Sequence, residues 1–503
     1  MDQPRDTRND TVILVALALG VVLLHTLTNG RYGFHRDELA TIDDARHLHW
    51  GYVVYPPLTP FLARVALVLF GTSLRGARFF SGLAQAISLV LAGLMARELG
   101  GKRLAQIVSA LAVAVAPMAL ASGALLQYVA FDYLWWVLTA YFLIRLLRQD
   151  DPRWWLAVGA SIGLGMMTKY TMIFLVAGIV AGLLLTRTRR YVKSPWLWAG
   201  VALSLLIFLP NLIWQIQHDF ISLQFLNQIH ARDVRSGFNK SFLPDQVLVA
   251  ANLVTIPLWV AGLLFYFREP EGQRFRMIGW TAVVPFLLFL FAQGRGYYVA
   301  PVYPMLLAAG AVVEERWLAS LSAGAARTWR TLTLAALIAG GVAIAAVALP
   351  VAPVRTGWWR LAARANRDLR EEIGWPELVA EVARVRDSLP PDEIGQVAIL
   401  AGNFGEAGAI DLYGAAYGLP NAISGINNYW ERGYGDPPPQ VLIVLGLSAH
   451  DVNQLFRSCE VAGHLTNKLN VINDETKDHP YIFVCRKLRY DWPEFWKQFR
   501  YYG

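Results

Sequence analysis

Runs of roughly twenty apolar residues, the length that crosses the hydrocarbon core of a bilayer as a helix, recur along this chain with few or no charges inside them. A soluble core cannot absorb so many, because 55% of the 503 residues are hydrophobic and only 16% are charged. The pattern predicts a polytopic α-helical membrane protein. Segments able to span lie near 11–29, 75–97, 104–122, 130–147, 154–169, 171–186, 196–214, 245–267, 276–292, 299–316 and 329–350, eleven in all. A further apolar stretch, PLTPFLARVALVLFG from Pro57 to Gly71, is short, begins at a proline pair and carries Arg64, which suits a helix lying in the interface.

The net charge of +8 does not point to nucleic acid, because the basic residues gather in short clusters between apolar runs rather than along one soluble face. With eleven spans, the clusters at Arg5 and Arg8, Arg97 to Arg103, Arg145 to Arg153, Arg187 to Lys193, Arg268 to Arg276 and Arg316 to Arg330 share one side, which the positive-inside rule makes cytoplasmic. The N-terminus is then inside and everything beyond Pro350 outside. The first run lacks a small-residue cleavage site and is expected to stay as a helix. Composition divides the chain into a transmembrane domain over 1–350 and a soluble α/β domain over 351–503, where QVAILAGN and QVLIVLG read as short buried strands. Cys459 and Cys485 give no metal spacing; a disulfide and two separate buried thiols both stay open.

Two outer loops, 30–74 and 215–244, exceed the usual connection length, which favours a functional role. The first carries RYGFHRDELATIDDARHL, with acid pairs Asp37, Glu38 and Asp43, Asp44, followed by an aromatic stretch that reaches Tyr55 and the proline pair. Asp132 is the lone acid of LLQYVAFDYLWWVLTAYFL, and Lys169 the lone cation of GLGMMTKYTMIF; an ionisable group at such depth is a functional candidate by default. Topology sets both at the same outer level as Asp37. In FAQGRGYYVAPVYPMLL, Arg295 with Tyr297 and Tyr298 suits a phosphate headgroup, through charge-assisted hydrogen bonds. In the second loop, Trp214, Gln217, His218, Asp219 and His230 could line a sugar pocket or bind a divalent ion. No Walker or HExxH motif and no dinucleotide fingerprint in a βαβ setting occurs, so soluble nucleotide chemistry is not supported.

Taken in order, RDE in the first outer loop, YPPLTPFLARV, SLRGARFFSGL, Asp132 with its aromatics, GLGMMTKYT, LPNLIWQIQH and GRGYYVAPVYPML resemble the GT-C superfamily of membrane glycosyltransferases, in the branch of protein O-mannosyltransferases and lipid A aminoarabinose transferases. The C-terminal NFGEAGAIDLYGAAYGLPNAISGINNYW looks like the extracytoplasmic domain of bacterial members. The resemblance implies a GT-C fold in a bacterial inner membrane with a periplasmic C-terminal domain. It implies a polyprenyl-phosphate-linked sugar donor, a hydroxyl acceptor of lipid, glycan or protein, and inversion at the anomeric carbon. Asp37 is then the general base, Glu38 its neighbour or substitute, and Asp132 and Lys169 the groups that tune it. Arg295 would stabilise the leaving phosphate, with Arg78, Tyr297 and Tyr298 as helpers. Some relatives place an acid or base just before the proline pair where this chain has Val54 and Tyr55, so a divalent cation stays unassigned. The competing reading is a lipid-linked sugar flippase. Without a match of their own, Asp43 and Asp44 are expected on a solvated helix face.

Overall fold

The computed structural model describes residues 7–503, so Arg5 and the side chain of Arg8, two of the basic residues expected on the inner side, lie outside the described part. Helix α1 (Thr7–Thr28) exposes Val12, Val15, Leu19, Leu23 and Leu27, a stripe at helical spacing. The helix Ala323–Ala348 is only 11% buried over its apolar window. Apolar surfaces this long are stable against lipid and not against water, and the chain is a multi-pass membrane protein.

Among the described residues, seven helices are long and apolar enough to cross, and ten if each of three bent pairs counts as one span. The difference from the eleven expected lies in segment 154–169. It supplies only the 13-residue helix Trp154–Met166, about 20 Å by its rise, against roughly 30 Å of hydrocarbon. That helix nevertheless runs alongside Tyr128–Gln149, with Trp154 stacked on Phe142 at one end and Lys169, just beyond it, facing the ring of Tyr128 at the other. The bent pairs break at 63° before Pro117, at 104° after Leu185 and at 85° after Ala250. Helix α3 (Leu58–Phe70) is one-sided in the way an interfacial helix requires: Val65, Val68 and Leu69 are exposed while Thr59, Ala63 and Ala66 are buried. Helices in the bundle approach closely at small residues. A methyl on Gly159 would sit 2.0 Å from the carbonyl oxygen of Gly200, on the neighbouring helix Pro195–Gln217.

After Ala348 the chain builds a five-stranded mixed sheet in the order β2-β1-β3-β5-β4. Strands β1 (Val397–Ala401), β2 (Ala422–Ile423) and β3 (Val441–Leu445) run parallel, while β5 (Tyr481–Leu488) is antiparallel to both β3 and β4 (Phe456–His464). The five residues of β3 are all buried, as a central strand covered on both faces demands. Cys459 and Cys485 face each other across β4 and β5 and form a disulfide.

The first outer loop joins this sheet region to the bundle. Its helix α2 (Arg36–Arg46) packs so tightly on the helix Phe404–Tyr413 that a methyl on Gly408 would sit 2.8 Å from the backbone of Leu39. Arg36 holds Glu371 and Asp474 of the C-terminal region. Glu38 and Arg78 are both wholly buried and bonded at two points, 2.8 and 2.6 Å, and Glu372 lies 3.4 Å from the same guanidinium. Asp43 and Asp44 correct the expectation of a solvated face. Both are buried: Asp43 pairs with Arg432, and Asp44 accepts from Asn428 at 2.9 Å and from Tyr55 at 2.7 Å. The solvated face was expected because no C-terminal partner for it is visible in the loop's own sequence.

Removing one member of a buried ion pair strands the other, a loss of about 3–5 kcal/mol. Arg78→Met is therefore expected to lower the thermal midpoint more than any exposed Arg→Met change, as read by melting of the purified protein. A second expectation follows from charge. Burial pushes the Glu372 carboxyl up to about 7, with Arg78 opposing and Glu38 adding to the rise. Burial likewise carries Asp44 to about 7, against Arg432 and with Asp43. Such carboxyls bind protons more tightly folded than unfolded, so stability falls as pH climbs from about 4 toward 7. The melting midpoint should be higher at about pH 5.5 than at about pH 7.5, and Glu372→Gln should shrink that difference.

Candidate active site

The crowding of acids in HRDE begins as helix chemistry. His35 is the N-cap of α2: its ring accepts from the backbone N–H of Asp37 at 3.2 Å, and Glu38 accepts from the backbone N–H of His35 at 2.8 Å. This is a capping box, and acids in the first turn also favour the positive end of the helix dipole. The two neighbours then part company. Glu38 points inward and spends its oxygens on Arg78, on the backbone N–H of Leu126 at 2.8 Å and on His35. Burial raises its proton affinity, but Arg78 and these hydrogen bonds outweigh burial and hold the carboxyl below its ordinary range.

Asp37 points outward, its side chain 35% exposed, and accepts a hydrogen bond from Gln127. Residues 126 and 127 open the span Tyr128–Gln149, so both acids of the pair pin the same turn. The next residue, Tyr128, begins a cage of phenols around Lys169. The ammonium lies 4.0 Å from the ring centre of Tyr298, 4.9 Å from Tyr128 and 5.8 Å from Tyr297, the geometry of cation–π attraction. Among the described residues Lys169 makes no direct ion pair. Arg295 stands beside the cage, bonded to Asp233 at 2.6 and 2.8 Å and 3.4 Å from the Tyr297 hydroxyl. Asp37 is near enough to interact electrostatically with Tyr128 and Tyr297.

Of the residues singled out in the sequence, Asp37, Lys169, Arg295, Tyr297 and Tyr298 converge here. Asp132 lies behind Lys169, buried, accepting from Trp136 at 3.1 Å and Thr171 at 3.2 Å, and acts on the ammonium through space. Glu38 and Arg78 correct two expectations: each is sealed within the joint, so neither a stand-in base nor a phosphate helper is available at those positions. Tyr55 is also buried, its hydroxyl on Asp44 and its ring 5.7 Å from Tyr128. His218 is stacked on Trp214 and lines a separate cavity of about 420 Å³. Gln127, Tyr128 and Asp233 were not foreseen. Gln127 and Tyr128 stand just before Asp132 in the same quoted stretch, whereas Asp233, between arginines in ARDVRS, carries no signal. Among the described residues no group of three or more His, Cys, Asp or Glu side chains is placed to hold a metal ion.

A half-exposed carboxylate on one side and an aromatic-caged ammonium on the other can accept a proton and hold an anion within one site. Residues 54–214 match the family described as dolichyl-phosphate-mannose-protein mannosyltransferase. That match begins beyond Asp37 and includes Tyr128, Asp132 and Lys169. The lipopolysaccharide core galacturonosyltransferase RgtB of Rhizobium johnstonii is 25% identical over 295 residues, which make up 56% of this chain and 58% of that protein, less than two thirds of the relative's own length. ArnT from Cupriavidus metallidurans in the apo state shares the fold across 94% of this chain and 97% of its own, with a TM-score of 0.58 and 16% identity. The same protein bound to undecaprenyl phosphate gives a TM-score of 0.54 over the same shares at 17% identity. The matched family, the galacturonosyltransferase and the ArnT fold agree in supporting a likeness of this chain to the GT-C superfamily of membrane glycosyltransferases.

Proposed function

We propose that this chain is an inverting transferase, moving a sugar from a polyprenyl-phosphate carrier to a hydroxyl acceptor at the outer face of a bacterial cytoplasmic membrane. The observation that carries this reading is the convergence of Asp37, with its half-exposed carboxylate, and Lys169, with its cage of three phenols, on one site at the end of the bundle. Inverting transfer needs a base and an anion grip on opposite sides of one carbon. The acceptor hydroxyl gives its proton to Asp37 as its oxygen bonds to the anomeric carbon. The bond from that carbon to the phosphate oxygen breaks, and polyprenyl phosphate leaves with the electron pair.

Lys169 meets the negative charge that grows on the departing phosphate, and the phenols of Tyr128, Tyr297 and Tyr298 exclude water around it. Arg295, already neutralised by two bonds to Asp233, ranks behind Lys169 as the phosphate's partner. Asp132 serves as a positioning charge for the lysine. The donor class draws support from the undecaprenyl phosphate bound by the ArnT of like fold. The outer-face assignment draws support from the Cys459–Cys485 disulfide, since such bonds persist in oxidising compartments. Because α2 is packed on the region that carries the disulfide, the loop of Asp37 shares its side of the membrane.

Purified protein, radiolabelled polyprenyl-phosphate sugar and a membrane extract test the reading directly. Asp37→Asn should cut transfer about 10²–10⁴-fold with an unchanged melting midpoint; wild-type turnover in this variant would remove Asp37 as the base. Lys169→Met should weaken donor use by roughly ten- to a hundred-fold, the loss of about 1.5–3 kcal/mol from one charged contact. Movement of labelled lipid between vesicle leaflets without sugar transfer would point instead to a flippase.

A further inference from the structure

The cavity that holds His218 is built by three separate stretches of chain. The loop after α2 gives His47, His49 and Tyr52, the end of Pro195–Gln217 gives His218, and the C-terminal region gives Trp430 and Glu431. At about 420 Å³ it falls within the range of small-molecule sites, and its wall is mostly polar, with Asp44, Asn428, Glu431 and Arg432 beside the histidines and the rings of Tyr52 and Trp430. Its floor is fixed, because Asp44 is held by Tyr55 and Asn428 and lies beside Arg432.

The polar groups are of two kinds. His218 donates Nδ1–H to the Trp214 carbonyl at 2.8 Å, so the tautomer of the neutral ring is the one whose Nε2 accepts. His47 is favoured in its charged, donating form by its hydrogen bond to Asp43. Glu431 accepts only. Donors beside acceptors, with flat rings between them, match hydroxyl groups on a ring, each of which both gives and takes a hydrogen bond.

Position adds the decisive point. Asp44, on the cavity floor, and Asp37, at the reaction centre, are seven residues apart on α2, two turns along one side and about 10 Å along its axis. Between them lies Tyr55, bonded to Asp44 and with its ring 5.7 Å from that of Tyr128. We infer that this cavity seats the acceptor as a saccharide, holding one unit of a short oligosaccharide while α2 directs the next toward Asp37. The inference rests on the transferase reading above and assigns its acceptor class.

Delipidated lipopolysaccharide core oligosaccharide, titrated into the full chain in detergent, is the probe. Saturable quenching of tryptophan fluorescence is expected, weakened ten-fold or more in His218→Ala and in His49→Ala, each checked for an unchanged melting midpoint. In turnover assays the half-saturating acceptor concentration should rise by the same factor, with that of the donor unmoved. His218→Gln, which keeps an acceptor oxygen, should recover most of the affinity, a rescue that a purely structural role does not give. Absence of saturable binding, wild-type affinity in both alanine variants, or displacement of the probe by a hydroxyl-bearing peptide overturns the assignment. Failure of the wild-type chain to release sugar from the donor would sink the transferase reading itself, whereas release without oligosaccharide binding sinks only the acceptor site.

Discussion

The buried contact between Glu38 and Arg78 is the constraint on which the rest of this architecture depends. Both side chains are without solvent exposure, and every polar atom they bring inside must be answered there. The answers come from distant parts of the chain: the carbonyls of Asn29 and Gly33, the N–H of Leu126 and the carboxyl of Glu372. One ion pair thereby ties the end of the first span, the loop helix, the start of the Tyr128 span and the C-terminal region to one point. The turn that carries Gln127 and Tyr128 is set by this joint, and through it so is the relation of Asp37 to the lysine cage.

Adjacent acids in one loop acquire opposite fates through helix geometry. Positions two and three of a helix point about 100° apart, so Glu38 turns into the protein while Asp37 faces the open side. The first is kept ionised by arginine and backbone donors. The second keeps enough exposure to exchange a proton, with one amide hydrogen bond to aim it. Structural and chemical roles are divided between neighbours that a linear reading treats as a pair.

Much of the candidate site could be read in the sequence because a membrane makes ionisable residues conspicuous. Asp132 and Lys169 stand alone in apolar surroundings, and Arg295 is set among glycines and tyrosines. The ranking among them was less legible. Arg295 reads as the free phosphate ligand until Asp233, far away in an unremarkable polar helix, is found bonded to it. Asp43 and Asp44 read as solvated for the same reason, since Arg432 and Asn428 are nearly four hundred residues away.

Composition and the period of apolar runs determined that this chain lives in a bilayer, because no packing in water can cover so much hydrocarbon. The capping box also determined where the acid-bearing helix begins, since its hydrogen bonds are local. Tertiary structure alone decided which acids are exposed, which phenols surround Lys169 and which loops enclose the second cavity. Those outcomes depend on long-range contacts, whose partners no local pattern encodes.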